Sequence, residues 1–343
     1  VPNAAALANM PGTGNTCSSY GNRNFWMYYW EWFGNPTGAN GSAEITNYYN
    51  SLGGASSALG AKLANRPCAS GASTCWQDYE GGLIGWSQAD GAWAVYKGAI
   101  YDAYMAAGGP AGPWGVPTSL ENAIEGPNGN GRGQNFKNVQ ALSSAAGTYA
   151  VSTLVMPVYA ADGWVRGAIG WPIATEVCEG ANCAQEFQGG VLARVGTSGF
   201  KLGPAITSKY LAAGGPGGAW GVPTSTDNSI ESPLGNGSGQ NFSKVQLLTS
   251  ASGMFAVPSM LRTEHVRLGW VRAGLGWPIA DAICTETSCV QDFVGGSLAW
   301  TGSDYLQVTG ALYTAYRAAG GSAGSWGVPT SAVSTIVTTH GTG

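Results

Sequence analysis

Three segments of the chain overlay without a gap: AAGGPAGPWGVPTS at 106–119, AAGGPGGAWGVPTS at 212–225 and AAGGSAGSWGVPTS at 318–331, with successive copies 106 residues apart. Between them stand GAIGWPIA (167–174) and AGLGWPIA (273–280), again 106 apart, and a worn copy, SALGAKLA, lies at 57–64. The chain is therefore three double repeats of two related halves. Six glycine-centred motifs result, at Leu59, Trp114, Ile169, Trp220, Leu275 and Trp326. A period of about fifty residues marks an architecture in which no unit buries its apolar face alone and neighbours share a core. That outweighs the two or three ordinary domains that 343 residues would suggest by length.

Each Trp-Gly-Val-Pro motif has the same lead-in. Residues 98–107, 204–213 and 310–319 place apolar side chains at helical spacing, and the Gly-Gly that follows stops the helix. The proline ends the local structure by fixing φ. Extended runs recur as well. Gln134-Asn135-Phe136 matches Gln240-Asn241-Phe242, and Trp76-Gln77-Asp78-Tyr79-Glu80-Gly81-Gly82 matches residues 184–190 and 290–296, all read as strands ending in hairpin turns. The last motif is followed only by AVSTIVTTHGTG, without the Gln-Asn-Phe strand of the earlier copies. Gly21-Asn22-Arg23-Asn24-Phe25 resembles that strand, so the N-terminus is expected to complete the last repeat. The predicted fold is one β-rich closed ring over residues 1–343, propeller-like. It has six blades in pseudo-threefold double repeats (about 25–118, 136–224 and 242–331), a short helix in each, and strand 21–33 closing the ring. Closure removes exposed sheet edges. A linear solenoid is the alternative, but neither end resembles a polar capping repeat.

Only 10% of residues are charged and 55 are glycine, with 14 Trp and 15 Tyr. The net charge of -4, with scattered Lys and Arg, excludes the basic face of a nucleic-acid binder. It also excludes simple electrostatic attraction to an anionic surface. No apolar run reaches eighteen residues, so no membrane span is expected. Six of the seven cysteines form close pairs at equivalent places: Cys68 with Cys75, Cys178 with Cys183, and Cys284 with Cys289. They read as three loop-stapling disulfides in a secreted chain whose leader has been removed. Metal binding is the weaker reading, because the spacings differ from zinc motifs and no histidines accompany them. Cys17 is left as a free thiol. Asn40, Asn236 and Asn241 head glycosylation sequons.

The units [LIW]-G-x-P and Q-x-[FY]-x-G-G resemble LGFP repeats, from about Gly21 to Ser331. The core reads Ile169-Gly170-Trp171-Pro172 and Leu275-Gly276-Trp277-Pro278, and Trp-Gly-Val-Pro in the alternate copies. Leu59-Gly60-Ala61-Lys62 departs from it, lacking the proline. The resemblance implies an extracellular protein in contact with a cell-wall glycan, and it leaves open whether this chain binds or cuts.

An internal repeat supplies its own control: residues shared by all copies are most simply structural, and residues found in one copy are candidates for function. The largest departure is Phe25-Trp26-Met27-Tyr28-Tyr29-Trp30-Glu31-Trp32-Phe33, whose counterparts at 136–142 and 242–248 are plain. Glu31 among aromatic rings would have a raised pKa and serve as a general acid. Trp26, Tyr28, Tyr29, Trp30 and Trp32, with Trp76, would stack on sugar rings. The bland reading is a seam strand with Glu31 reaching water or Arg23. Glu80, matched by Gln188 and Val294, and Asp78, matched by Glu186 and Asp292, fall two apart and are expected on one strand face. Paired carboxylates are the equipment of glycoside hydrolysis. Asp90 and Asp102 are also unmatched, Asp102 as a surface charge, while Glu121 and Glu125 recur as Asp227 and Glu231. His265 and His340 are the only histidines, and a Ser-His-Asp arrangement also needs a nucleophile elbow, whereas the one G-x-S-x-G match, Gly320-Gly321-Ser322-Ala323-Gly324, follows a predicted helix in a repeated turn. No cofactor or metal is expected, and the chain is expected to be a monomer. Two functions remain: a secreted glycoside hydrolase of muramidase or lysozyme type acting on peptidoglycan, or a non-catalytic binder of wall polysaccharide.

Overall fold

The structure, a computed structural model, describes residues 41–66, 68, 69, 71–333, 337, 338, 341 and 342. One order of elements recurs: a short helix, a tight turn, the glycine-centred motif, then an antiparallel meander. The helices are α1 (Gly41–Ser51), α2 (Ala99–Ala106), α3 (Met156–Ala161), α4 (Pro204–Ala212), α5 (Ser259–Arg267) and α6 (Gly310–Ala318). After α1 come β1 (Thr74–Tyr79), β2 (Gly82–Ser87) and β3 (Gly91–Tyr96). After α2 come β4 (Asn122–Ile124), β5 (Gly131–Asn135), β6 (Val139–Ser144) and β7 (Gly147–Ser152). After α3 come β8 (Val177–Glu179), β9 (Asn182–Phe187), β10 (Gly190–Val195) and β11 (Ser198–Lys201). After α4 come β12 (Asn228–Ile230), β13 (Gly237–Asn241), β14 (Val245–Ser250) and β15 (Gly253–Pro258). After α5 come β16 (Ile283–Cys284), β17 (Cys289–Phe293), β18 (Gly296–Trp300) and β19 (Tyr305–Thr309). Only a two-stranded pair, β20 (Val337–Thr338) and β21 (Gly341–Thr342), follows α6 among the described residues. The protein is thus β-rich, with five small antiparallel sheets of three or four strands, each in sequence order. The described residues up to 122, with 133–138, form one compact unit, and residues 123–132 with the described residues from 139 on form another.

The helices before the Trp-Gly-Val-Pro motifs fall where the apolar spacing predicts them. Equivalent helices α1, α3 and α5 precede the other three motifs, where the sequence analysis expects a short helix in each blade without giving its bounds. All six helices stop at a left-handed glycine with φ between 94° and 104°, from Gly53 to Gly320, followed by one turn of 3-10 helix. The motif then bridges to the strand pair through its proline: Pro117 to Phe136, Pro172 to Phe187, Pro223 to Phe242 and Pro278 to Phe293. The worn first copy keeps the bridge with Lys62 in the proline's place, opposite Tyr79.

What each unit shares is a latch. The aromatic residue eleven positions before the motif glycine bonds to that glycine's carbonyl. Tyr49, Tyr104, Tyr159, Tyr210 and Tyr316 donate their hydroxyls to Gly60, Gly115, Gly170, Gly221 and Gly327 at 2.6–2.8 Å. In the fifth copy His265 Nε2 takes the same role toward Gly276 at 2.9 Å. A buried carbonyl in an apolar core must find a donor, and the latch supplies one while its ring fills the core. In the larger unit three cores lie between successive meanders: Leu142 and Val151 of one meander, Tyr159 of α3, and Phe187 and Leu192 of the next pack as one cluster. The clusters around Tyr210 and around Leu261 are built the same way.

Candidate functional site

Glu31 and the aromatic residues Trp26, Tyr28, Tyr29, Trp30 and Trp32 lie outside the described residues, as do Cys17, Asn40 and His340. The rest of the candidate set lies on β1 and the turn after it. β1 alternates, with Cys75, Gln77 and Tyr79 buried and Trp76 and Asp78 on the other, half-buried face. It ends at Tyr79, which pairs with Gly82 across a two-residue turn. Glu80 sits in that turn, so the expectation that it shares a strand face with Asp78 is corrected. The strand period no longer applies once the chain reverses.

Glu80 is exposed, and its Oε2 accepts the Ala61 N–H at 2.9 Å. Gln188 occupies the same place in the next double repeat, its Oε1 accepting the Trp171 N–H at 3.0 Å. The fold needs only an acceptor here, and a neutral amide supplies it, so the charge on Glu80 is surplus to the backbone contact. Asp78 differs from its counterparts in the opposite way. Asp292 is buried and takes the Ser322 N–H, the Ser322 hydroxyl and Arg317 on one oxygen, at 3.0, 3.1 and 3.3 Å. The Asp78 carboxylate makes no hydrogen bond or ion pair among the described residues. Burial, with Asp78 and Asp102 beside it, pushes the Tyr101 phenol above its ordinary value. The Trp76 ring carries the Arg66 guanidinium 4.5 Å above its centroid, so one face of the indole is covered.

Two further tryptophans were not singled out from the sequence. Trp164 and Trp270 open the 3-10 turns of the third and fifth copies with φ of 57° and 55°. Four other copies put glycine there, at Gly54, Gly109, Gly215 and Gly321. A side chain in the left-handed region costs about 1–2 kcal/mol, and each indole offsets this with a hydrogen bond: Trp164 Nε1 to Gln140 Oε1 at 2.7 Å and Trp270 Nε1 to Gln246 Oε1 at 2.9 Å. Arg166 and Arg272 lie over these rings at 5.7 and 5.0 Å. The signal was present in the sequence as Gly-Trp-Val-Arg at 163–166 and 269–272, but a shared tetrapeptide does not reveal a left-handed tryptophan. An open groove of about 780 Å³ lies in the same unit, lined by Trp220, Lys209, Lys244 and Asp281, with Lys209 and Asp281 paired at 3.2 Å.

The remaining candidates take structural places. Asp90 exchanges hydrogen bonds with Ser87 in the β2–β3 turn. Asp102 is exposed on α2. Glu121 and Glu125 flank the short strand β4. Ser322 is buried on Asp292 in the turn after α6. The three cysteine pairs are disulfides, Cys68–Cys75, Cys178–Cys183 and Cys284–Cys289. Glu176 lies beside the second, but both sulfurs there are bonded to each other. Asn236 is exposed in a turn, whereas Asn241 is part of β13 and its Oδ1 accepts from Gln246 at 3.0 Å. No helix of the described residues is long and apolar enough to cross a membrane. The LGFP repeat model matches residues 59–112 and 275–324. No curated protein matches the chain.

Proposed function

The chain carries LGFP repeats, and from that premise we propose a secreted glycoside hydrolase of muramidase or lysozyme type that acts on bacterial peptidoglycan. Repeats of this family, three disulfides and a low charge content fit an extracellular or wall protein. The observation that carries the hydrolase is the contrast among equivalent acids. In the first double repeat Glu80 holds with a carboxylate the contact that Gln188 holds with an amide, and the Asp78 carboxylate makes no hydrogen bond or ion pair among the described residues where Asp292 Oδ2 takes three. Glu31, walled by Trp30 and Trp32 in the sequence, is the general acid that protonates the leaving glycosidic oxygen. Glu80 or Asp78 is the base that activates water or the nucleophile that attacks the sugar. A carboxylate separation of roughly 5 Å gives retention and roughly 7–9 Å inversion. Trp26, Tyr28, Tyr29 and Trp76 bind the glycan by stacking.

The test is release of reducing ends from purified peptidoglycan at about pH 5, where a desolvated carboxyl stays protonated. Glu31→Gln and Glu80→Gln are each expected to lose about 100-fold or more. Glu80→Gln keeps the acceptor for Ala61 and should leave the melting temperature where it was. Activity untouched in both variants sinks the assignment.

A non-catalytic wall binder is the second reading, and the paired Trp164–Arg166 and Trp270–Arg272 platforms favour it. A tryptophan held twice in a conformation that glycine adopts freely is the kind of strain that accompanies a working surface. Retention on the wall pellet without release of ends, lost in Trp164→Ala and Trp270→Ala together, is the outcome that selects it.

A further inference from the structure

The three disulfides occupy equivalent places, and one of them has different neighbours. Cys75 pairs across its sheet with Trp86 and Cys289 with Trp300, and each cysteine packs with its indole in an apolar cluster. Cys183 pairs instead with Arg194. The Arg194 guanidinium folds over the hairpin that the disulfide closes. It donates to the Ala181 and Gly196 carbonyls at 3.0 and 3.1 Å and to Glu176 Oε1 at 3.3 Å, and its Nη2 lies 3.8 Å from Cys178 Sγ. Glu176 Oε2 lies 3.5 Å from the same sulfur. One period on, Ala282 stands in the place of Glu176 and Trp300 in that of Arg194. Access to the sulfurs is alike in these two copies: Cys178 and Cys284 are exposed on the edge strands β8 and β16, and Cys183 and Cys289 are buried. The pairs are therefore distinguished by the charged groups beside them.

We propose that Cys178–Cys183 is the reducible disulfide of this protein, a modification site that a dithiol opens and that Glu176 and Arg194 favour in its reduced form. The inference is independent of the glycan chemistry. A disulfide sulfur is a weak acceptor with no proton to give. A thiol at Cys178 donates to Glu176 Oε2, and a thiolate there accepts from Arg194 Nη2 with its full charge. Either form of the reduced sulfur gains a contact that the disulfide lacks, so both groups draw the exchange equilibrium toward the open pair. The reaction is a pair of exchanges. One thiolate of the dithiol attacks the exposed Cys178 Sγ; an S–S bond forms there, the bond to Cys183 breaks, and the electron pair leaves on Cys183 Sγ, which takes a proton. The second thiolate attacks the reductant's own sulfur in that mixed disulfide, closes the reductant's ring and expels Cys178 as a thiolate beside Arg194. The dithiol is oxidised by two electrons and the cysteine pair is reduced by two. Of the two protons the dithiol gives up, one ends on Cys183 and the other on Cys178 or in solvent. β8 pairs with β9 alone and its three residues are exposed, so the hairpin can open without uncovering a core.

The experiment is a titration of the whole native chain in mixtures of reduced and oxidised dithiothreitol, with free thiols trapped by iodoacetamide and located by peptide mass spectrometry. Cys178 and Cys183 should be half alkylated at a reduced-to-oxidised ratio about tenfold or more below the ratio that opens Cys284–Cys289 or Cys68–Cys75, a difference of about 30 mV. Glu176→Ala and Arg194→Trp install the residues that the fifth copy carries at these places. Together they should bring the Cys178–Cys183 midpoint to that of Cys284–Cys289. Glu176→Ala alone, which leaves the arginine on its two carbonyls, should move it the same way by about threefold. The sign separates this role from a structural one. An arginine that only braced the hairpin would, on removal, leave the disulfide easier to reduce, whereas the proposal requires it to become harder. Equal midpoints for the three native pairs, or variants whose Cys178–Cys183 opens more readily than in the native chain, overturn the proposal.

Discussion

Residues 204–258 and 259–309 build the same unit twice, with helix, turn, motif and meander in register, yet the latch at the centre differs. Tyr210 donates its hydroxyl to Gly221, and burial, with Glu186 and Glu179 nearby, pushes that phenol far above its ordinary value, so it stays neutral at any working pH. His265 meets the Gly276 carbonyl through Nε2. A carbonyl only accepts, so Nε2 carries the proton and Nδ1 is bare, buried and without a partner. Around it are Phe293, 4.5 Å away, and the apolar cluster of Leu261, Val271 and Leu275. The nearest charges along α5, Glu264 and Arg267, are paired with each other at 2.5 Å. Burial holds His265 down from 6.5 to about 4. Two copies with the same contacts therefore answer acid differently, because one latch titrates in a reachable range and the other does not.

Removing the tyrosine outright is the strongest test of that contrast. Tyr210→Ala opens a cavity beside Trp220 and Phe242 and should cost about 4 kcal/mol in denaturant unfolding at neutral pH. Acid is next. The unfolded chain protonates His265 at its ordinary value while the folded chain resists to about 4. The stability due to the neutral ring is intact above pH 6.5 and is lost as pH falls from 6.5 to about 4. The full loss is about 3 kcal/mol. His265→Tyr should flatten the profile over that window, and an unchanged slope would remove the latch from the explanation. Tyr210→Phe keeps the ring and strands the Gly221 carbonyl, at a cost of about 2 kcal/mol that does not vary between pH 4 and 7. Smallest is the turn. Gly215 has φ of 63° where Trp270 has 55°, and Gly215→Ala should cost about 1 kcal/mol, seen as a modest fall in melting temperature.

The parts of this fold that could be read in the sequence are those where one residue type marks one geometry. The 106-residue period, the Gly-Gly stops, the hairpins and the cysteine pairs are of that kind. The bounds of helices α3 and α5 were not legible, since Met156-Pro157 opens the one and charged residues fill much of the other. The latch was hidden because its partner is a backbone carbonyl eleven residues away, which leaves no side-chain signature. At the candidate site, the types of acid were readable while their placement was not: Glu80 falls one residue beyond the strand that would have aligned it with Asp78. The left-handed setting of Trp164 and Trp270 likewise follows from their place in the turn and not from their identity.

The shared cores limit how such a chain can lengthen or shorten. Tyr159 packs against Leu142 and Val151 on one side and Phe187 and Leu192 on the other, and the clusters around Tyr210 and Leu261 likewise span two meanders, so none of these three cores belongs to a single meander. A recombination event that cuts cleanly between helix and sheet still divides a core, leaving an apolar face on each product. Deleting a whole period rejoins matching faces wherever in the period the breakpoints fall. Genes of this design should therefore vary in length by whole periods, and the breakpoints need respect no boundary visible in the sheets.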